Sequence, residues 1–331
     1  MILRIFKGTG PGIFLLIIIT LAGVWISAFL NPAMDSISVY EADPMPLYGL
    51  LKLLIGNSPL VGVLFSFLIV SFMAFLLVNF NTTVVFISER TFLPALIYVL
   101  LGGFFPQFRL LNPVLPASLF LMLAIIRIIG SYHKPGIAYN YFDAGMLIST
   151  GSLFYANLIW FGLLLIIGIV LFRPGNILEI AVSVIGLLTP YLLALGLYYV
   201  TGKEIGTLLL TVVNNLFSKS SGYHLPVLTL VSLIFAGMVL LVCIAYLVKL
   251  MSTKKIKSRK TFSLLIWVFL ISAAIYIVLP SVSAEIVWLI TIPISYFMTH
   301  YFVFMKKKLL PEIFFSVLFV LVLLIQISYL K

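Results

Sequence analysis

The sequence predicts an all-α fold: a polytopic bundle of about eleven transmembrane helices. Three observations carry this. Of the 331 residues, 63% are hydrophobic and 9% charged, with a mean hydropathy of +1.27, whereas a soluble domain carries roughly 25% charged residues. Apolar runs recur along the whole chain, most of them about as long as a bilayer crossing requires. No polar linker is long enough to separate distinct folding units, so residues 1–331 read as one transmembrane domain.

The first run, Gly12 to Leu30, follows a weakly basic start (Arg4, Lys7). It is longer than a signal-peptide core, and no small-x-small cleavage site follows, so it reads as an uncleaved first span. Further runs lie at 59–80, 92–106, 113–130, 143–172, 177–200, 225–249, 262–279, 286–305 and 311–330. The run 143–172 is too long for one crossing. Taken as one helix, it would also put the basic loop 249–260 on the side opposite the basic N-terminus. A break near Thr150-Gly151-Ser152, where Gly and Ser are ordinary break points, restores even parity, its short first piece tilted or partly re-entrant.

Eleven spans then place the N-terminus in the cytoplasm and the C-terminus outside. Fifteen basic residues fall inside: Arg4, Lys7, Arg90, Arg127, Lys134, Arg173, six within 249–260, and Lys306 to Lys308. Five fall outside: Lys52, Arg109, Lys203, Lys219 and Lys331. This is the positive-inside bias, and it accounts for the net charge of +11 without nucleic acid, for which no aromatic or Gly-rich RNA motif is present. Membrane lipids, through their anionic headgroups, are the partners this charge implies. Cys243 is the only cysteine, so no internal disulfide is possible and the redox compartment is unreadable.

Two sizeable outer loops follow, 31–58 and 201–224. Each holds a weakly amphipathic piece suited to the interface, Leu47 to Ile55 and Ile205 to Phe217. The first loop carries three of the nine carboxylates, Asp35, Glu41 and Asp43. Acids at a membrane edge suit general-base attack by an acceptor hydroxyl, or can hold a divalent metal ion that neutralises a phosphate leaving group. A solvated loop has the same composition. Glu89, Arg90, Arg127, Asp143 and Glu179 sit near predicted inner edges, where snorkelling to the headgroups accounts for them. Glu285 is the one other acid placed to approach the outer site. His133, His224 and His300 are scattered, which argues against a His-rich iron site. Only His224 is placed to meet the loop acids. No P-loop, G-x-G-x-x-G or G-x-S-x-G is present, so nucleotide chemistry has no support.

The stretch Met45 to Asn79, with Pro46-Leu47-Tyr48, a Leu-rich helix and then Gly56-Asn57-Ser58-Pro59 before a second span, resembles GT-C-type glycosyltransferases. "ERTFLPALIYVLLGGFFP" resembles the span that follows, and the likeness covers about residues 1–175. Residues 176–331 add further spans. The chain as a whole is also similar to multi-span membrane proteins of Bacteroidota. The GT-C resemblance implies an enzyme of cell-envelope metabolism in the bacterial inner membrane that uses polyprenyl-phosphate-linked sugar on the outer face. It puts the catalytic acid by position at Asp35, with Glu41 and Asp43 as the other candidates. Arg109 and Lys203 are the available phosphate partners, as charge-assisted donors, and His224 the remaining substrate-binding candidate. This loop is shorter than the family's and lacks its paired-acid signature. Two other functions fit the composition: a non-catalytic scaffold or assembly subunit of an envelope complex, and a transporter or flippase, although no internal repeat of the transporter kind is evident.

Overall fold

The computed structural model describes residues 2–8, 10–32, 43–56, 58–133, 139–174, 177–219 and 225–330. Among them are fourteen α-helices and no strand. Seven helices are long and apolar enough to cross a membrane: α2 (Pro11–Leu30), α4 (Pro59–Val84), α9 (Ile177–Val200), α11 (Val227–Leu250), α12 (Ile256–Val278), α13 (Val287–Phe304) and α14 (Leu309–Leu330). Both α2 and α4 start with proline in their first turn, where the missing N–H costs nothing because no intrahelical acceptor awaits it.

The run 143–172 breaks as expected. Helix α7 (Asn140–Ser152) ends beside Gly151, a 3₁₀ turn spans Ala156–Gly162, and α8 (Leu163–Phe172) returns. Gly168 in the second half of α8 lies against the Tyr141 ring in the first turn of α7, so α7 and α8 are antiparallel. A second short pair precedes it: α5 (Leu93–Gly102), a 3₁₀ turn Pro106–Arg109, and α6 (Val114–Ile129). At 1.5 Å per residue, ten-residue helices such as α5 and α8 reach only about 15 Å, half of a bilayer core. Helix α12 begins six residues earlier than hydropathy alone suggests, because Lys257 to Lys260 continue the helix in good helix-forming residues.

Helix α13 occupies the centre, with almost every residue buried, as expected of a helix apolar on all sides. It packs against α5, α6, α11, α12 and α14. Tyr296 at its middle donates to the Leu77 carbonyl at 2.8 Å and meets Phe80 and Phe86 edge-on.

Polar contacts gather at the two ends of the bundle. At one end, the short helix α1 (Ile2–Phe6) is held by Leu3 N–H donating to Glu312 at 3.1 Å, and Lys7 donates to the Val303 carbonyl at 2.8 Å. Asn140 donates there to the Arg127 carbonyl at 3.0 Å. Glu89 and Arg90 are exposed, as snorkelling predicts. Glu179 is different. It is fully buried and lies 2.6 Å from Arg173: an ion pair shields it, and it does not reach for the headgroups. The other end carries α3 (Pro46–Ile55) and α10 (Ile205–Phe217), the two expected interfacial pieces.

Candidate functional site

Helix α3 starts at Pro46, behind Pro44. Met45 and Tyr48 are buried, while Leu53 and Leu54 are exposed, so its apolar surface faces both the bundle and the surroundings. Leu47 N–H donates to the Leu153 carbonyl at 3.1 Å, and the Tyr48 hydroxyl donates to the Leu111 carbonyl at 3.2 Å. These bonds dock α3 over the turns that follow α5 and α7. Helix α10 lies beside it. It buries Leu208 and Asn215 and exposes Leu209, Leu210 and Phe217.

Asn215 joins the two loops. Its side-chain oxygen accepts from the Asp43 N–H at 3.3 Å, and its amide nitrogen donates to the Asp43 carbonyl at 2.6 Å. The Asn215 main-chain carbonyl accepts from the Asn157 amide at 3.3 Å. That amide also reaches the Ser281 hydroxyl at 3.3 Å, and Ser281 donates to the Leu216 carbonyl at 2.8 Å. Four separate segments thus meet: the entry to α3, the 3₁₀ turn after α7, α10, and the connection between α12 and α13. Asn157, Asn215 and Ser281 are all buried, whereas Asp43 is exposed. The backbone of Asp43 is therefore fixed while its carboxyl group stays reachable. The Asn157 side-chain oxygen is buried with no hydrogen-bond partner among the described residues.

A second polar centre lies at the same end. Arg109, in the turn after α5, is fully buried. It donates to the Ser27 hydroxyl at 2.6 Å and to the Gly103 carbonyl at 3.4 Å. Its guanidinium sits 5.8 Å from the centroid of the Trp25 ring. Gln326 of α14 also donates to the Gly103 carbonyl, at 2.9 Å, and the Trp25 and Trp288 rings are 6.3 Å apart. The indole nitrogens of Trp25 and Trp288 are buried without partners among the described residues. A buried cation over an aromatic face is more strongly held than in water, because nothing screens it.

The six sequence-predicted site residues divide as follows. Asp35, Glu41 and His224 lie outside the described residues. Asp43 is exposed at the loop junction. Arg109 is inside the bundle rather than on its surface. Lys203 is exposed on the turn between α9 and α10, 5.5 Å from the Tyr198 ring centroid. That turn closes α9 with paired bonds, Gly202 N–H to Tyr199 and Lys203 N–H to Tyr198, which needs the positive φ of 69° that Gly202 adopts. Glu285 is fully buried. Its carboxylate accepts from the Ser283 N–H at 3.1 Å and from the Ser283 hydroxyl, so it holds its own turn. Asn157, Asn215, Ser27 and Gln326 are not distinguished by any motif; for Asn157, Ser27 and Gln326 the one signal is a lone polar residue inside an apolar stretch, and Asn215, beside Asn214, lacks even that.

Among the described residues no group of three or more His, Cys, Asp or Glu side chains gathers as a metal site would require. The exposed carboxylate of Asp43 is one oxygen donor group and does not by itself make a divalent-ion site. No curated protein and no solved structure matches the chain. Over residues 45–330 the sequence matches the family of unknown function DUF6427; that stretch contains Arg109, Asn157, Asn215 and Ser281 and begins two residues after Asp43, and the chain belongs to this family.

Proposed function

We propose that the chain is a multi-pass protein of the bacterial inner membrane, its seven long helices crossing fully and the shorter pairs α5–α6 and α7–α8 completing the expected eleven membrane segments without each spanning the whole core, N-terminus in the cytoplasm, with the end bearing α3 and α10 facing outward. There it acts as a GT-C-like glycosyltransferase on polyprenyl-phosphate-linked sugar. The orientation rests on the basic residues: Lys7, Arg127, Arg173 and Lys254 all lie toward the end opposite α3, the arrangement that positive-inside insertion produces. The enzymatic reading rests on one observation, the grip of Asn215 on Asp43. It brings the second outer segment against the acid-bearing loop, where an acceptor hydroxyl would need both a base and a cover. In this reading Asp43, with Asp35 and Glu41 from the same loop, takes the acceptor's proton. Lys203 meets the phosphate directly, and Arg109 adds positive potential from beneath.

The test is sugar transfer by the purified, reconstituted protein from mixed lipid-linked sugars. Asp35→Asn, Glu41→Gln and Asp43→Asn are compared singly and together with wild type. The reading expects at least one single variant, and the triple variant, to lose transfer. Wild-type activity in the triple variant overturns the catalytic assignment. A second reading is favoured by the covered position of Arg109 and by a family match that starts after all three acids: an assembly subunit whose α3–α10 end holds a partner. It predicts stable co-purification of an envelope protein that persists in the triple variant.

A further inference from the structure

At the end opposite α3, α2, α4 and α5 do not close against one another. They leave a crevice of about 560 Å³, walled by Phe14, Ile18, Leu21, Ser71, Phe75 and Val99 among others. Apart from Ser71, whose hydroxyl is spent on the Phe67 carbonyl at 2.7 Å, its walls are carbon. Phe14, Ile18 and Phe75 are exposed at its rim, so it opens sideways, on the surface that hydrocarbon would cover, and not toward water.

Three features specify the occupant. Along α4 the crevice runs from Phe67 to Val78, about 16 Å at the helical rise, which is the depth of one leaflet in a core of roughly 30 Å. It stops there: Leu21 and Phe67 close it near mid-membrane. The outer limit is set by the Phe14 and Phe92 rings, 6.2 Å apart, and exposed Arg90 precedes Phe92 by two residues. Exposed Arg4 lies on the helix before α2, and of the nearby acids Glu89 is also exposed. The mouth is therefore net positive at headgroup level.

We propose that this crevice is a lipid site, which holds one acyl chain of an anionic phospholipid of the adjacent leaflet with its phosphate toward Arg90 and Arg4. The proposal rests on the membrane-spanning reading and is independent of glycosyl transfer. It assigns the α2–α4–α5 face a bound lipid as a structural cofactor, at the end away from the α3–α10 junction.

Native mass spectrometry of the delipidated full chain in detergent, titrated with phosphatidylglycerol or phosphatidylcholine, tests it. One phosphatidylglycerol per chain is expected to bind well before any phosphatidylcholine. Arg90→Glu is expected to weaken that binding about tenfold, and Ser71→Phe, which fills the crevice, to abolish it with an unchanged melting temperature. Should Ser71→Phe fail to fold, Ser71→Cys is alkylated with a long-chain maleimide after folding, and the alkylated protein is expected to bind no phosphatidylglycerol. Equal affinity for the two lipids overturns the proposal, as does undiminished phosphatidylglycerol binding once the crevice is filled.

Discussion

The side chain of Asn215 grips the backbone of Asp43 at both its N–H and its carbonyl, across 172 residues of sequence. A carboxamide carries its donor and its acceptor side by side in one plane, which matches the N–H and carbonyl of a single residue. Replacing Asn215 by Ala removes both bonds. Since Asp43 is exposed and water can substitute, the cost is about 1 kcal/mol for the pair. Asn215→Asp keeps the acceptor but sets a buried carboxylate oxygen against the Asp43 carbonyl, so it costs more than Ala. Thermal unfolding in detergent reads this order. If the α3–α10 junction is an active site, transfer activity falls further than the melting shift accounts for.

The two ion pairs at the opposite end differ in kind. Arg173 and Glu179 are 2.6 Å apart with the carboxylate fully buried, whereas Arg127 and Asp143 are 3.7 Å apart with about half of each side chain exposed. Removing one partner of a buried pair leaves an uncompensated charge, at about 3–5 kcal/mol. An exposed pair contributes under about 1 kcal/mol and is screened by salt. Glu179→Ala is therefore expected to destabilise severely at any ionic strength. Asp143→Ala is expected to have a small effect that vanishes at high salt. Equal losses in the two variants count against this distinction.

Much of the scaffold was legible because the bilayer permits few choices. The break after Ser152 follows from the length of one apolar run and the parity of the basic loops. The helices Pro46–Ile55 and Ile205–Phe217 follow from polar interruptions of apolar segments bounded by proline or glycine. The polar centres were not legible, because their members come together only through packing. Asn157 and Ser281 are 124 residues apart, and Arg109 finds Ser27 across 82. An arginine in an outer turn reads as a surface cation until α2 and α14 are seen to cover it. Glu179 reads as a snorkelling acid until Arg173, six residues earlier, is seen to fold back on it.

Lys254 gives the chain a stability dependence on alkaline pH. It is half-buried in the turn between α11 and α12, with its ammonium 5.0 Å from the Phe262 ring centroid and 5.3 Å from that of Phe304. Desolvation there pulls its pKa below the ordinary lysine value of 10.5. Between the lowered folded value and the ordinary value in the unfolded chain, the unfolded state binds more protons. This group therefore adds stability as pH rises through that window, and the gain is lost again as pH falls through the folded value. Lys254→Met removes the titration. Unfolding followed from neutral pH to about pH 10.5 should show a less positive slope in the variant than in wild type, and identical slopes rule out this role.

Helices α7 and α9 approach each other closely, and two glycines permit it. A Cβ on Gly186 would collide with the Phe142 carbonyl, and one on Gly145 would lie 2.6 Å from the Ser183 carbonyl. Both obstacles are backbone, which cannot rotate aside as a side chain can. Between membrane helices such small-residue crossings supply the dispersion contact that apolar burial supplies in water. Gly186→Ala must push the helices apart along the whole interface, at about 1–3 kcal/mol or more. Gly196, on the same helix α9, has nothing within 4 Å of an added Cβ. There alanine only improves helix propensity, by up to about 1 kcal/mol. The two substitutions are chemically identical and ten residues apart, yet their effects should have opposite signs. Melting temperatures in detergent are expected to fall for Gly186→Ala and to hold or rise for Gly196→Ala. A fall of the same size in both would mean that helix α9 is sensitive to any added methyl group and that the crossing with α7 is not the cause.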